Sequence, residues 1–486
     1  MLEWADDKII DGVLAEFEQL AKIPRQSGHE KAVSDYLVNA FKNFGCQVQQ
    51  DAVYNVIADL PASPGYEQKP VIILQGHMDM VCVAAPGVGY DPLTDPIKLI
   101  RDEKFLSADG TSLGADDGIG VAEALFIMKN IKDKDHGPLR AIITVDEEQG
   151  MSGAINLDPK FLTDAAYLIN CDSENYDELT VGSAGSVNID FNKTVKFVKP
   201  HGRNAYKISI NGLKGGHSGM EINKGRANAI RLMSMLLHSL NKAGIEYELA
   251  SIAGGKARNS IPAEAHVVIT TNGNGADILR IIDIADKQCV DVYDNTDKDI
   301  SFDFVRADLP AQVMTEEDRD SIINLLVSLR SGVYAMSQVL PKLVETSANL
   351  GMISQTEDLI NIKYMPRSSV DSKLDDFAAQ ADILAGLTGF TADIDKKTPG
   401  WKERQDSKLA KIMQEVFQAQ NGKPMKVESI HAGLECGWHL LKNHNLDVVS
   451  IGVSTYDIHS PKERLELWTI VPQVKLIVET LKRLYN

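Results

Sequence analysis

Five separate segments of the sequence place acidic or imidazole side chains in short loops or where predicted strands end. They are "GHMDM" with His77 and Asp79, "LGADDGIG" with Asp116 and Asp117, "ITVDEEQG" with Glu147 and Glu148, "LINCDSE" with Asp172, and "YDIHSPKE" with His459. In an open α/β sheet, ligands bind at the edge formed by the carboxyl ends of the strands. We therefore expect these side chains to converge at one edge of a sheet.

Such a convergence points to a metal centre. Several carboxylates at one sheet edge repel one another unless they are protonated or bound to cations. The two histidines would supply neutral nitrogen ligands beside them. A mixed set of His, Asp and Glu suits Zn²⁺, Mn²⁺ or Co²⁺ better than Mg²⁺ or Ca²⁺.

Each segment taken alone also has a structural interpretation. Asp116 and Asp117 are suited to capping the helix that follows them. Glu147 and Glu148 are compatible with solvated loop charges, and His459 with a structural or surface histidine. Only the combination of segments favours a metal centre.

The motifs "GHMD", "GADDG", "VDEEQG", "NCDSE" and "IHSP", in this order, resemble those of the co-catalytic zinc metallopeptidase family. That family includes carnosinases, aminoacylase-1 and bacterial dipeptidases. Within it, "RQSGHEKAVSDYL", "VDEEQGMSGA" and "HAGLECG" are most similar to bacterial dipeptidases that act on aminoacyl-histidine substrates. The resemblance covers essentially the whole chain.

The resemblance implies a pair of divalent metal ions, with Zn²⁺ expected and Mn²⁺ or Co²⁺ able to substitute. It implies that His77 and Asp172 bind one ion, that Glu148 and His459 bind the other, and that Asp116 bridges the two. It also implies a cis peptide bond between Asp116 and Asp117.

Two further carboxylates receive catalytic roles from the resemblance. Asp79 matches a carboxylate that contacts no metal and orients the ring of His77, as in other carboxylate–histidine–metal arrangements. Glu147 matches the general base that takes a proton from the attacking water. The alternative, that Glu147 is a further metal ligand, is disfavoured because neighbouring side chains diverge on extended backbone.

Residues in the later part of the chain match substrate-binding positions of the family. His217 in "GLKGGHSGMEI" matches a histidine that polarises the tetrahedral intermediate, although a loop histidine satisfied by backbone is the structural alternative. Asn259 in "ARNSIPAEA" matches a substrate-contacting Asn, and Gly433 in "HAGLECG" a backbone contact. Arg367 in "YMPRSS" matches an arginine suited to bind a free C-terminal carboxylate in bidentate geometry.

The elements that must position these side chains alternate between helix and strand before residue 185. Helical spacing of apolar residues predicts helices over Asp6–Ile23 and His29–Phe44, and an apolar run predicts a buried helix over Gly118–Ile131. Short apolar runs such as "PVIIL" and "RAIITV" predict strands. This alternation indicates an α/β fold with a largely parallel sheet.

The pattern changes near Ser183 to hairpins and helices, and after about residue 398 it returns to α/β character. We therefore divide the chain into residues 1–184, 185–398 and 399–486, with the first and last forming one catalytic domain. The resemblance implies a phosphorylase/hydrolase-like zinc-peptidase fold for that domain and an α+β lid and dimerisation domain for the insertion. It leaves open whether the lid contacts the active site of its own chain or of a homodimer partner.

Composition narrows the classes of partner. The net charge of −18 over 486 residues disfavours nucleic acids and anionic membrane surfaces. No apolar run is long enough to span a membrane, and "MLEWADDKII" lacks the features of a secretory signal. Five scattered cysteines without a CxxC motif fit reduced thiols in the cytoplasm.

The sequence thus predicts a cytoplasmic, homodimeric, metal-dependent enzyme that hydrolyses Xaa-His and other unblocked dipeptides. A tripeptidase or an N-acyl amino acid deacylase with the same metal site is the alternative, since only the shape of the pocket separates these activities. A third possibility is a metal-stabilised binding protein without turnover. It is disfavoured because the general base and all the ligands are present.

Overall fold

The computed structural model describes residues 4–486 and contains two compact units. The first unit holds the described residues up to Gly182 together with Glu403–Ser429 and Leu434–Asn486. The second unit holds Ser183–Lys402 and the short segment Ile430–Gly433. Residues 430–433 thus group with the second unit, whereas the sequence places them in the catalytic domain. The roles of the two units as catalytic domain and lid stay predictions.

The first unit is built on an eight-stranded mixed sheet. In spatial order its strands are Gln47–Gln50, Val56–Leu60, Leu139–Thr144, Val71–His77, Ala165–Asn170, Asp447–Ser450, Glu178–Ser183 and Lys426–Ile430. The four central strands are parallel to one another, while the flanking pairs are antiparallel wherever their register is defined. The α/β class is confirmed. The largely parallel sheet is confirmed only for its centre, because antiparallel strands extend both edges.

The parallel centre of the sheet is what brings the predicted site together. Val71–His77 and Leu139–Thr144 are almost entirely buried, as expected for strands covered on both faces. His77 is the last residue of its strand, Asp172 follows the strand ending at Asn170, and Glu147 follows the strand ending at Thr144. Because parallel strands end at the same edge, these residues lie at the edge formed by the carboxyl ends of the central strands.

Helices cover this sheet. They span Asp6–Ala21, Lys31–Asn43, Ala115–Ile131, Ser152–Asn156, Lys160–Thr163, Lys408–Asn421, Glu435–Lys442 and Ile470–Tyr485. The three helices predicted before residue 185 are present within a few residues of their expected ends. Ala115–Ile131 is buried on nearly every side, which explains why its sequence is apolar without a polar face.

A small four-stranded sheet presents His459. In order its strands are Thr455–Tyr456, Arg464–Glu466, Phe105–Ala108 and Leu99–Arg101. The first two pair with each other in antiparallel fashion. The turn that joins them contains His459, and both Asp457 and His459 adopt positive φ there.

The second unit is α+β, with a ten-stranded antiparallel sheet. Its strands span Gly185–Ser186, Ile189–Thr194, Asn204–Asn211, Glu248–Gly254, Ala265–Thr271, Ser301–Ala307, Gly332–Met336, Val344–Thr356, Leu359–Ser368 and Thr391–Ile394, and its helices span Ala229–Lys242, Gly275–Tyr293, Glu316–Ser328 and Asp371–Thr388. Two short strand pairs are Phe197–Val198 with Val313–Met314 and Gly216–His217 with Ser260–Ile261. No helix among residues 4–486 combines the length and hydropathy needed to cross a bilayer.

Candidate metal centre

His77 lies at the centre of the cluster that the sheet edge brings together. Its ring is buried, and its Nδ1 lies 3.3 Å from Asp79 Oδ1. On the other side of the ring, Nε2 lies 3.1 Å from Asp116 Oδ1 and 3.4 Å from Asp172 Oδ1. The two ring nitrogens therefore face different carboxylates: Nδ1 faces Asp79, and Nε2 faces Asp116 and Asp172.

His459 faces the same cluster from the turn of the small sheet. Its Nε2 lies 3.1 Å from Asp116 Oδ2 and 3.0 Å from Glu148 Oε1. Asp116 thus presents one carboxylate oxygen to each imidazole. This is the arrangement expected of a carboxylate that bridges two ions, one beside His77 and one beside His459.

The chemistry of these donors fits a pair of divalent cations. Two groups of three side chains each offer ligand atoms that lie within 4.8 Å of one another. They are His77, Asp116 and Glu148, and His77, Asp117 and Asp172. The Nε2 atoms of His77 and His459 both face carboxylate oxygens, and the carboxyl groups of Asp172 and Asp116 lie against each other. Without a proton or a cation between them, such groups repel one another.

The surrounding carboxylates favour the protonated form of both imidazoles. Burial disfavours charge on His77, but Asp172 and Asp116 outweigh burial and raise its pKa well above the usual value. Hydrogen bonds with Asp116 and Glu148 raise the pKa of His459 to about 10. A divalent ion would displace these protons, since a histidine binds metal through a neutral ring nitrogen.

Asp79 is buried and contacts the backbone of the segment that contains Glu147 and Glu148. Its carboxylate accepts hydrogen bonds from Ser27 Oγ at 2.8 Å and from the backbone N–H groups of Glu147 at 3.1 Å and Glu148 at 3.3 Å. Burial would raise the pKa of Asp79, but its contacts with His77 and these donors hold it below the usual value. Asp79 therefore stays ionised beside His77.

Glu147 projects from the loop that follows Leu139–Thr144. Burial is the main cause that raises its pKa well above the ordinary value, and the charges of Asp172, Glu435 and Glu148 add to it. A carboxyl group with a raised pKa is suited to accept a proton near neutral pH and to release it again.

Asp117 has a position that the sequence did not suggest. Its Oδ2 accepts the backbone N–H of His77 at 3.1 Å, so it links the helix to the end of the strand. The peptide bond between Asp116 and Asp117 is cis. Asp116 and Asp117 have non-helical φ and ψ in the first turn of Ala115–Ile131, and the helix-capping interpretation of this pair stays a prediction.

In the second unit, His217 lies in the short strand Gly216–His217. Its Nδ1 accepts hydrogen bonds from the backbone N–H groups of Gly219 at 3.3 Å and Met220 at 3.1 Å. Burial is the main cause that lowers the pKa of His217, and the charge of Arg367 adds to it. In the neutral ring, Nε2 therefore carries the proton and is a hydrogen-bond donor.

Arg367 is buried in the strand Leu359–Ser368, and its Nε has no hydrogen-bond partner among the described residues. Burial lowers its pKa to about 10, so it stays protonated at neutral pH. The charge of Arg367 also acts on His431. Burial and this charge lower the pKa of His431 to about 3. The Nε2 of His431 lies 2.7 Å from Ser347 Oγ.

The remaining predicted substrate contacts also belong to the second unit. Asn259 is exposed, and its backbone carbonyl accepts the N–H of Ser218, next to His217, at 2.9 Å. Gly433 follows His431 by two residues in the segment Ile430–Gly433. The roles predicted for these residues stay predictions.

Glu435 is a buried residue near the cluster to which the sequence analysis assigned no role. Its Oε2 accepts hydrogen bonds from Gln75 Nε2 at 2.6 Å and Thr144 Oγ1 at 2.7 Å, and burial raises its pKa to about 7. Gln75 and Thr144 belong to the two strands that lead to His77 and Glu147. The motif "HAGLECG" contains this glutamate, but only Gly433 was assigned from it.

Comparison with known families decides the classification of this site. The model of the peptidase family M20/M25/M40 matches residues 73–483 of the chain. The chain belongs to this family. It is therefore a peptidase, a hydrolase that acts on peptide bonds.

Individual relatives of this M20 peptidase cover nearly its whole length. The cytosol non-specific dipeptidase of Escherichia coli strain K12 is 33% identical over 474 residues, which is 96% of each chain. The crystal structure of aminoacylhistidine dipeptidase from Vibrio alginolyticus is 32% identical with a TM-score of 0.90, covering 97% of this chain and 96% of that one. The aminopeptidase PepT of Bacillus cereus, 16% identical with a TM-score of 0.60 over 98% of this chain and 99% of its own, shares the fold.

Proposed function

We propose that this M20 peptidase is a cytoplasmic, homodimeric, metal-dependent dipeptidase that hydrolyses Xaa-His and other unblocked dipeptides, including carnosine-like ones. The observation that most directly supports it is Asp116, which offers one oxygen to His77 and the other to His459, while Glu147 interacts electrostatically with His77. Two relatives that match almost the full chain are named as dipeptidases, one of them a cytosol enzyme.

The proposed ion pair consists of two divalent ions, with Zn²⁺ preferred and Mn²⁺ or Co²⁺ able to substitute. His77 and Asp172 would hold one ion, Glu148 and His459 the other, and Asp116 both. When bound, such a pair supplies Lewis acidity that makes water a better nucleophile near neutral pH.

Side chains of the protein carry out the proton transfers in this proposal. We assign to Glu147 the transfer of a proton from the attacking water to the leaving amine, for which a raised pKa is suited. Asp79 accepts the N–H groups of Glu147 and Glu148, so the same carboxylate that faces His77 also fixes the base and a ligand.

Residues of the second unit supply groups suited to a peptide substrate. The Nε2–H of His217 is a donor for the carbonyl oxygen as negative charge develops on it. Arg367 offers a buried guanidinium to the C-terminal carboxylate of a dipeptide, which favours short substrates because the chain must end there. Asn259 and Gly433 are assigned further substrate contacts.

The test combines metal depletion with a substrate panel. We expect the purified enzyme to cleave carnosine and other Xaa-His dipeptides, to lose activity on chelation and to regain it with Zn²⁺, Mn²⁺ or Co²⁺. Glu147→Gln should lower kcat by about 10²-fold or more while metal content is unchanged. Hydrolysis that resists chelation contradicts the proposal. If tripeptides or N-acetyl amino acids are cleaved faster than dipeptides, the enzyme is instead a tripeptidase or an N-acyl amino acid deacylase.

A further inference from the structure

Glu463 is a buried carboxylate that accepts backbone N–H groups from four consecutive residues. Oε2 accepts from Leu113 at 2.8 Å and Gly114 at 3.0 Å, and Oε1 accepts from Ala115 at 2.8 Å and Asp116 at 3.4 Å. The last of these donors is the backbone of the proposed bridging ligand. One side chain therefore fixes the path of the loop that delivers Asp116.

Arg25 holds the same loop through a carbonyl oxygen. Its buried guanidinium donates to the carbonyl of Gly114 and, at 3.0 Å each, to the carbonyls of Met78 and Asp79. Gly114 has φ +70°, and a Cβ there would lie 2.5 Å from Arg25 Nη2. The loop is thus fixed between Glu463 and Arg25, and Arg25 also joins it to the segment that follows His77.

The turn that carries His459 is joined to the same carboxylate. Glu463 lies four residues after His459, and its backbone N–H donates to Ser460 O at 3.1 Å. Ser460 Oγ in turn donates to Asp457 O at 2.6 Å. These bonds close the turn around His459, so Glu463 connects the backbone beside one proposed ligand with the turn that carries another.

We propose that Glu463, together with Arg25, is a positioning residue that sets the relative placement of Asp116 and His459 and thereby the affinity of the site for divalent ions. This inference rests on the proposed metal-dependent function. Glu463 is not one of the proposed ligands and has no part in the proton transfers. It acts through the amide groups of residues 113–116.

The chemistry of the contact defines the variants. In Glu463→Gln, an amide NH₂ replaces one carboxylate oxygen and faces two N–H donors, which turns attraction into repulsion. Glu463→Asp keeps the charge but shortens the side chain, so it should retain part of the function. Glu466→Gln is the matched control, because Glu466 lies three residues after Glu463, at the end of the strand Arg464–Glu466, and bonds instead to Tyr456 and Lys104.

Zinc is titrated calorimetrically into the apoprotein of the wild type and the three variants, and the unfolding temperature is measured with and without zinc. We expect Glu463→Gln to raise the zinc Kd about 10–100-fold, Glu463→Asp to raise it less, and Glu466→Gln to leave it within twofold. With a dipeptide substrate at saturating zinc, kcat should fall in Glu463→Gln. KM should be unchanged, because the proposed binding of the substrate carboxylate by Arg367 does not involve Glu463.

A purely structural Glu463 would give a different result. The unfolding temperatures of apoprotein and zinc-loaded protein would then fall equally, with the zinc Kd of Glu463→Gln or Glu463→Asp within twofold of the wild type. That outcome overturns the positioning role and leaves the dipeptidase proposal standing. A wild-type protein that binds neither Zn²⁺, Mn²⁺ nor Co²⁺ overturns both.

Discussion

At the scale of single residues, Asp79 contacts both a proposed metal ligand and the segment of the proposed general base. It lies 3.3 Å from the Nδ1 of His77 and accepts the N–H groups of Glu147 and Glu148. The ring, the proposed base and one ligand thus share a single carboxylate. Its burial would be costly for an isolated charge, and the surrounding donors offset that cost.

Replacing Asp79 should therefore reduce turnover although Asp79 is not one of the proposed metal ligands. We expect Asp79→Ala to lower kcat/KM by about 10–100-fold and to weaken metal affinity, because His77 loses its orienting partner and the 147–148 segment loses its acceptor. Steady-state kinetics and metal content measure both effects.

Ser27→Ala is the graded control, since it removes only one of the donors to Asp79. It should have a much smaller effect than Asp79→Ala. Turnover unchanged in Asp79→Ala would show that the orienting role is wrongly assigned.

At the scale of elements, the strand Val71–His77 and the helix Ala115–Ile131 are closely packed against each other. A Cβ on Gly76 would lie 2.2 Å from Asp117 Oδ2, and one on Gly120 would lie 2.3 Å from Asp117 Oδ1. Glycine at both positions allows Asp117 to accept the N–H of His77. The close approach of strand and helix is what places His77 beside Asp116.

Gly76→Ala should separate these two elements. We expect a loss of about 1–3 kcal/mol in the free energy of unfolding from overpacking, together with weaker metal binding, because His77 and Asp116 move apart. Denaturant unfolding of the apoprotein and metal titration check the two effects. Gly89→Ala is the control, since no atom lies within 4 Å of a Cβ there. Equal behaviour of the two variants would contradict the packing argument.

At the scale of the whole molecule, stability must depend on pH through buried neutral groups. His439 in the helix Glu435–Lys442 is entirely buried, and neither ring nitrogen has a hydrogen-bond partner among the described residues. Burial lowers its pKa to about 3. Below about pH 6.5 the unfolded chain binds this proton while the folded chain does not, so acid favours unfolding.

The contribution of His439 is present above about pH 6.5 and is lost as pH falls toward 3. Replacing it with Gln should reduce the slope of unfolding free energy against pH between 4 and 6 by up to about 1.4 kcal/mol per pH unit. Denaturant unfolding of the apoprotein at several pH values measures the slope. Exposed His444, replaced in the same way, is the control. An unchanged slope in His439→Gln would show that the buried ring is protonated in the folded state.

The sequence by itself determined the family, the α/β class and the set of residues that meet at the sheet edge. This was possible for His77, Glu147 and Asp172 because parallel strands end at one edge, whereas His459 comes from the turn of the small sheet and Asp116 from the start of a helix. The helices of the first unit were predictable because they have clear apolar spacing. The pattern could not show which flanking strands are antiparallel, since a buried strand reads the same in either direction.

Only the tertiary structure decided how the cluster is held. Glu463 and Arg25 belong to the quoted motifs "YDIHSPKE" and "RQSGHEKAVSDYL", yet their partners lie far away in sequence, in residues 113–116 and 78–79. Those partners are backbone N–H and C=O groups, which every non-proline residue possesses. Side-chain identity predicts which atoms can bind a metal, but only the folded chain shows which amides a buried carboxylate will meet.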